Sequence, residues 1–129
     1  MTNSMETTGK FGIGVDIESI NRFAGLEHPQ DSPFLKKIFT QQELEYCYSK
    51  KTPAPHLTAR FAGKEAIIKA LCNMDRPKSN YRDIEIVNDR SGAPVVRIGK
   101  TGFQDLQIKL SLSHCEDKAI AFAIVTETR

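Results

Sequence analysis

Three cations and one carboxylate lie close together between Arg60 and Lys69. Glu65 and Lys69 are four residues apart and share one face of any helix that contains them. Arg60 and Lys64 share a second face, rotated by roughly 100° from the first. Such a group of charges is suited to binding phosphates and a metal ion. The alternative interpretation is an ordinary solvated face of i, i+4 salt bridges.

A second candidate group is the acidic pair Asp16 and Glu18, at the end of an apolar strand pattern that contains two glycines. Aspartate is disfavoured in strands, and its structural explanation would be a cap or turn acceptor just past the strand. If the strand continues, both side chains lie on one face, where Asp-x-Glu can supply two oxygen ligands to a hard cation.

A third candidate is the segment Ser111-Leu-Ser113-His114, at the end of another strand pattern. A histidine in this position is more often structural than catalytic, and the segment lacks the context of a hydrolytic triad. From the residues alone, the hypothesis is a Mg²⁺-assisted phosphoryl-type transfer site, built from a strand acid, a helix acid and helix cations.

The elements that must position these groups can be read from the hydrophobic pattern. Phe11 to Ile17 alternate bulky and small residues, which predicts a strand whose nearly bare face carries Asp16. Thr40-Gln-Gln-Glu43 is a capping box that predicts a helix from about Gln41 to about Ser49. The Ala-rich segment from His56 to about Cys72 predicts the longest helix, and its small side chains allow a sheet to wrap closely around it.

The remaining segments predict mainly strands. Residues 24–33 are interpreted as a loop or broken helix, and 34–39 as one or two apolar helical turns. Two hairpins follow, with strands at 84–86 and 95–98 and at 106–112 and 119–125. Helices grouped before strands favour an α+β fold with a mostly antiparallel sheet wrapped around one long helix.

Composition bounds the class of protein. The chain has 129 residues, 40% of them hydrophobic and 26% charged, which indicates a single globular domain with disorder expected only at the ends, including residues 1–10. The net charge of +2 is too small to imply bulk binding of nucleic acid.

Location is predicted from segments that would direct or anchor the chain. The longest apolar run, Ala119 to Val125, has seven residues, whereas a membrane span needs roughly 20. The first ten residues lack an apolar signal core, so a cytoplasmic protein is expected. Three widely spaced cysteines, Cys47, Cys72 and Cys115, are interpreted as reduced thiols.

Three motifs resemble, in order and spacing, those of the 4′-phosphopantetheinyl transferases, specifically the small holo-acyl-carrier-protein synthases. They are Gly12-Ile-Gly-Val-Asp16, Arg60-Phe-Ala-Gly-Lys64-Glu65-Ala-Ile-Ile-Lys69-Ala-Leu71 and Ser111-Leu-Ser-His114. The Phe39-Thr40 to Glu43 segment is also similar to one in this family. Since the likeness runs from Phe11 to Val125, it implies that residues 11–129 form one transferase domain.

The resemblance implies transfer of the phosphopantetheine arm of coenzyme A to a serine of apo acyl carrier protein, with release of adenosine 3′,5′-bisphosphate. Mg²⁺ would neutralise charge on the pyrophosphate, with Asp16 and Glu65 as its ligands by similarity. Lys69 would lie near the pyrophosphate and stabilise the developing charge. The serine needs a base, for which Glu65 or a metal-bound water is the candidate.

The same resemblance implies further contacts with coenzyme A, with His114 close to the 3′-phosphate. The residues concerned are Arg60, Lys64, Lys69, Ser113 and His114. It also implies a homotrimer whose sites are shared between subunits.

Two departures from the small synthases bear on these roles. Asp16-Ile-Glu18 is similar to the acidic pair of the larger, surfactin-synthetase-activating transferases, which makes Glu18 a candidate third metal ligand. In the small type, the first helix presents basic residues to the acidic carrier protein. Arg22 matches that pattern, but residues 23–33 contain no Lys or Arg, so docking would use Lys36 and Lys37 or be weak.

Two other hypotheses stay open at this point. The chain could be a binding module for coenzyme A or a carrier protein that kept the fold but lost turnover. It could also be a generic α+β scaffold whose charges are surface ion pairs.

Overall fold

The computed structural model describes residues 9–128. Within that range, besides three short 3₁₀ turns, there are three α-helices and five strands: β1 (Phe11–Ser19), α1 (Pro33–Ile38), α2 (Gln41–Tyr48), α3 (Pro53–Asn73), β2 (Ile84–Asn88), β3 (Pro94–Ile98), β4 (Leu106–His114) and β5 (Lys118–Glu127). Most of the segment expected to be disordered, residues 1–8, lies outside the described residues. Lys10, in contrast, is joined to Glu127 by a backbone hydrogen bond of 3.1 Å.

The helices begin where their local chemistry requires. The predicted capping box of α2 is confirmed, since the Thr40 hydroxyl accepts from the Glu43 amide and the Glu43 carboxylate accepts from the Thr40 amide, at 3.2 and 2.9 Å. The helix α3 starts three residues earlier than predicted, at Pro53. Proline is tolerated there because amides of the first turn have no partner within the helix. In the described part of the chain, no helix has both the length and the apolarity needed to cross a bilayer.

The strands form antiparallel pairs around α3, which confirms the predicted fold class. Strands β1, β5 and β4 form one sheet in that order, and β2 and β3 form a separate hairpin. The first and last strands of the chain are therefore neighbours, with Asp16 opposite Ala121, which in turn is opposite Leu112 on β4. This register places Asp16 on the face of the sheet that packs against α3.

The bare face of β1 allows the backbone of α3 to come unusually close. A Cβ atom on Gly14 would lie 1.9 Å from the carbonyl oxygen of Ala66, and one on Gly12 would lie 2.1 Å from that of Ala70. Side chains at these positions would therefore push the helix away from the strand. The glycines and alanines together set the distance between the strand that carries Asp16 and the helix that carries Glu65.

We expect Gly14→Ala to lower the free energy of unfolding by about 1–3 kcal/mol, the usual range for inserting a methyl group into a well-packed interior. The clash is with backbone, which cannot rotate away as a side chain would. Chemical denaturation measures the change. Gly99→Ala is the matched control, because a Cβ atom there meets nothing within 4 Å; equal stability of both variants would contradict the close packing.

The opposite face of this sheet is apolar and exposed. We call it the outer face; its large side chains, 38–65% exposed, are Phe11, Ile13, Val15, Ile17, Ile120, Phe122 and Ile124. The alternating pattern of β1 predicts one bulky face, and the usual expectation is that such a face is buried. In this chain α3 covers the glycine face instead, so the bulky residues remain uncovered within one chain.

Candidate active site

The structure brings Asp16 of β1 and Lys69 of α3 together, although they are 53 residues apart in the chain. The Lys69 ammonium lies 3.2 Å from Asp16 Oδ1 and donates a further hydrogen bond of 3.0 Å to the carbonyl of Val15. The Asp16 side chain is only 11% exposed, whereas that of Lys69 is 56% exposed. The ammonium can therefore contact a bound anion without leaving the carboxylate.

The second oxygen of Asp16 is buried and has no hydrogen-bond partner within residues 9–128. Glu18 lies beside it, and burial, reinforced by the charge and proximity of Asp16, raises the pKa of the Glu18 carboxyl to about 7. Arg22 partly opposes this increase in the pKa, with its guanidinium 3.1 Å from Glu18 Oε1. Two adjacent carboxyl groups with an unpartnered buried oxygen are a donor set that fits a divalent cation.

Glu65 lies one helical turn before Lys69, at a half-buried position of α3. Its Oε2 atom accepts a hydrogen bond of 3.2 Å from the Tyr81 hydroxyl. Burial, together with the charge of Glu65, raises the pKa of this phenol above its usual value of 10, so it remains a donor at neutral pH. Sequence reasoning missed Tyr81, because a tyrosine in a loop before a strand carries no recognisable signal until the fold places it beside the acid.

No group of three His, Cys, Asp or Glu side chains within residues 9–128 converges to form a metal site made entirely of protein ligands. Mg²⁺ does not require one, since it usually takes one or two carboxylates together with substrate oxygens and water. Asp16 and Glu65 would be the two carboxylates under the family resemblance. The role of Glu18 as a third ligand stays a prediction.

The alternative interpretation of this helix, a solvated face of i, i+4 salt bridges, is wrong for the described residues. Glu65 and Lys69 contact Tyr81 and Asp16 rather than each other. The cations of the second face are buried inside the fold.

The prediction that Lys64 contacts coenzyme A is corrected by the structure. Its side chain is completely buried, and its ammonium lies 2.7 Å from Glu43 Oε1. It also donates to the carbonyl oxygens of Tyr81 and Ile84, so all three of its hydrogen-bond donors are used. Burial lowers the pKa of this ammonium, an effect that Glu43 partly offsets.

Arg60 is also occupied inside the fold rather than presented to a ligand, which corrects its predicted contact with coenzyme A. The residue is 4% exposed, and its guanidinium donates to Asn88 Oδ1 at 2.9 Å and to the carbonyl of Ile86 at 3.3 Å. The Tyr46 ring stacks against it, 4.2 Å from the guanidinium carbon. Both helix cations are therefore structural, because they join α3 to α2 and β2.

The structure does not bring Ser113 and His114 onto one face. Both are exposed at the end of β4, but consecutive residues of a strand point in opposite directions. His114 faces the side of α3, with its ring centroid 6.5 Å from that of His56, whereas Ser113 lies on the outer side, opposite Ile120. Of these two residues, His114 lies on the same side of the sheet as Asp16 within one chain, and Ser113 does not.

The chain is similar in sequence to a family of known enzymes. A family model described as the 4′-phosphopantetheinyl transferase superfamily matches residues 12–123. The holo-[acyl-carrier-protein] synthase of Thermodesulfovibrio yellowstonii is 40% identical over 115 residues, which cover 89% of this chain and 97% of that protein. This chain belongs to the 4′-phosphopantetheinyl transferase superfamily, which confirms the resemblance seen in the motifs.

Solved structures place the chain among the same enzymes. The acyl carrier protein synthase of Mycobacterium tuberculosis shares 36% identity with a TM-score of 0.72, covering 90% of this chain and 96% of that one. The holo-[acyl-carrier-protein] synthase of Helicobacter pylori, in complex with coenzyme A, shares 29% identity with a TM-score of 0.74, covering 88% and 99%. The relatives matched over nearly their whole length are thus holo-acyl-carrier-protein synthases.

Proposed function

We propose that this chain transfers the 4′-phosphopantetheine arm of coenzyme A to a serine of an apo acyl carrier protein, with Mg²⁺, and releases adenosine 3′,5′-bisphosphate. The observation that carries the proposal is the contact between Asp16 and Lys69, with a buried unpartnered oxygen on the acid and Glu65 one turn away. Family membership and the coenzyme A complexes of relatives support the same substrate.

In this reaction the serine oxygen forms a bond to the phosphorus that carries the pantetheine arm. The bond from that phosphorus to the bridging oxygen breaks, and the adenosine bisphosphate leaves with the negative charge. Mg²⁺, held by Asp16 and Glu65, would neutralise charge on the pyrophosphate oxygens when bound. Lys69 would stabilise the charge that develops on the leaving phosphate, and Glu65 is the carboxylate that would accept the serine proton.

The position of Lys69 suits this role. Its side chain is anchored at Asp16 and at the Val15 carbonyl, yet more than half of it is exposed. A cation held in place before the substrate arrives needs little reorganisation during the reaction, which is the condition for efficient electrostatic stabilisation. His114, on the same side of the sheet, remains the proposed contact for the 3′-phosphate.

For the carrier protein, we propose docking through the exposed cations at the end of α1, Lys36 and Lys37. Arg22 is engaged by Glu18 at 3.1 Å and lies over the Phe61 ring at 4.7 Å. It is 49% exposed as a side chain, so it can contribute at the edge of that surface. Attraction between these cations and an acidic partner would raise the rate of association.

The outer face supports a homo-oligomer, which the family resemblance implies to be a trimer. A contiguous apolar surface of this kind is rare on monomers and is typical of interaction sites. Another copy of the chain would cover it and would also bring Ser113, at the rim of this face, towards a neighbouring subunit. A site assembled between copies would explain why Ser113 and His114 do not face the same way within one chain.

We expect Phe122→Glu, at the centre of the outer face, to produce monomers, because a charge placed in an apolar interface loses its hydration. Light scattering after gel filtration measures the mass, which should fall from three times the 14.4 kDa chain mass to one. Val95→Glu is the matched control, since Val95 is an equally exposed apolar residue on the separate β2–β3 hairpin. A monomeric wild-type protein, or a trimeric Phe122→Glu variant, would contradict this interface.

The proposed activity is tested by following the mass of a purified apo carrier protein with coenzyme A and Mg²⁺. The expected result is a gain of one phosphopantetheine group that stops when the metal is chelated. Coenzyme A binding without any mass gain would instead favour the non-catalytic binding module. If the protein shows no coenzyme A binding and no transfer, the remaining interpretation is a scaffold of the same fold.

We also propose a cytoplasmic location. The thiols of Cys72 and Cys115 are exposed and free, and that of Cys47 is buried and free. Unpaired exposed thiols are typical of reducing compartments.

A further inference from the structure

We propose that Tyr81 is a positioning residue for the transfer reaction, because its hydroxyl holds the Glu65 carboxylate in the orientation needed for metal binding. This inference rests on the proposed function, in which Glu65 is a metal ligand and candidate base. It starts from a single contact, the hydrogen bond of 3.2 Å from the Tyr81 hydroxyl to Glu65 Oε2.

A glutamate on a helix has three rotatable side-chain bonds, so it does not hold one orientation by itself. A donor bound to one carboxylate oxygen selects one rotamer and one orientation of the carboxyl plane. The half-buried position of Glu65 strengthens this bond relative to an exposed one, because fewer water molecules compete for the acceptor. The hydrogen bond therefore lowers the conformational entropy that Glu65 would otherwise lose on binding a metal ion.

Tyr81 can position another residue because it is itself fixed at both ends. Its backbone carbonyl accepts a hydrogen bond of 2.9 Å from the buried Lys64 ammonium. Its ring packs against that of Phe61, with the centroids 5.5 Å apart. Both partners belong to α3, the helix that carries Glu65, so the acid and its hydrogen-bond donor are attached to the same rigid element.

This arrangement gives Lys64 and Glu43 an indirect role in the site. Glu43 holds the Lys64 ammonium at 2.7 Å, and that ammonium holds the backbone of Tyr81 in turn. The α2 capping box is thus connected through three polar contacts to the carboxylate that lies next to the reaction. Lys64 and Glu43 can act in this way without touching the substrate.

The test compares wild type with Tyr81→Phe, which keeps the ring against Phe61 and removes only the hydroxyl. We measure Mn²⁺ affinity by electron paramagnetic resonance with coenzyme A present, together with kcat and the KM for coenzyme A. The expected result is a decrease of about 10- to 100-fold in Mn²⁺ affinity and in kcat, the usual effect of removing a residue that orients a metal ligand, with an unchanged KM for coenzyme A. Tyr48→Phe is the matched control, because its hydroxyl donates to the Leu26 carbonyl, 2.8 Å away and outside the site.

The outcomes separate this inference from the proposed function. Equal Mn²⁺ affinity in wild type and Tyr81→Phe overturns the positioning role, even where wild type transfers phosphopantetheine normally. A wild-type protein without transferase activity overturns the proposed function; weaker Mn²⁺ binding in Tyr81→Phe would then still show that the Tyr81 hydroxyl positions the Glu65 carboxylate for a metal ion. A similar loss of Mn²⁺ affinity in Tyr48→Phe would show that the loss comes from general destabilisation. That result would also overturn the positioning role of Tyr81.

Discussion

Asp16→Asn is expected to lower the rate of phosphopantetheine transfer on the order of a thousandfold. Under the proposed function Asp16 is a charged ligand of Mg²⁺. Its loss would remove several kcal/mol of stabilisation from the transition state, and each 1.36 kcal/mol changes the rate tenfold. The substitution keeps the size of the side chain and an oxygen that can accept from Lys69, 3.2 Å away. Transfer is measured by the mass of the carrier protein, and Mg²⁺ binding by calorimetry.

The same reasoning applies to Glu65→Gln, and both variants should keep the unfolding midpoint of wild type within a small margin. Asp75→Asn serves as the control for lost negative charge, because Asp75 is exposed just beyond α3 and its positive φ of 59° suits asparagine equally well. Normal transfer by either Asp16→Asn or Glu65→Gln would contradict the assignment of metal ligands. Glu18→Gln should change the Mg²⁺ titration only if that acid is a third ligand.

Lys64→Met is expected to lower the free energy of unfolding by about 3–5 kcal/mol, the usual effect of removing one partner of a buried ion pair. The variant leaves the Glu43 carboxylate buried without its counter-charge, and it removes a donor from the carbonyls of Tyr81 and Ile84. Denaturation monitored by circular dichroism measures the change. Lys100→Met, at an exposed position, should change stability by less than about 0.5 kcal/mol.

A second variant shows whether the uncompensated charge is the cause. In Lys64→Met/Glu43→Gln no buried charge remains, and the single amide oxygen can still accept from one of the two backbone amides, Thr40 or Ile86, that bond to different oxygens of Glu43. Part of the stability should therefore return. A stable Lys64→Met variant with weakened binding of coenzyme A would reverse our conclusion and restore the ligand contact implied by the family resemblance.

Sequence reasoning predicted the elements and the fold class because these depend on local patterns. The alternation in β1, the capping box at Thr40 and the alanines of α3 each specify a structure within a few residues of themselves. The motifs also made Asp16, Glu65 and Lys69 the candidate site residues, and the structure brings Asp16 of β1 and Lys69 of α3 into contact, with Glu65 one helical turn from Lys69.

The roles of Lys64 and Arg60 could not be predicted in the same way. Helical spacing gives the angle between two side chains, but it does not tell which faces of the helix other elements will cover. The helix α3 is covered on several sides, so a lysine that looks like a surface cation becomes the buried partner of Glu43. The capping box did indicate that the Glu43 carboxylate would be held at the start of α2. A carboxylate buried there needs a counter-charge, but the sequence does not show that Lys64 supplies it.

The contact of Tyr81 with Glu65 and the exposure of the outer face could not be predicted for a different reason. Both depend on which segments pack together over long distances in the chain. No local pattern states that β1 pairs with β5, or that the loop before β2 returns to α3. Only when the glycine face of β1 is seen against the helix does it follow that the bulky face must point outwards.

The two glycines of β1 also protect the placement of Asp16 against error during folding. A strand that slipped by one residue would turn every side chain to the opposite face, which would put Ile13 and Val15 where Gly12 and Gly14 lie against the carbonyl groups of α3. Those positions have no room even for a methyl group, so the mispaired strand could not close onto the helix. The two glycines thereby exclude the slip that would move Asp16 to the outer face of the sheet. They do so although they take no part in the proposed chemistry.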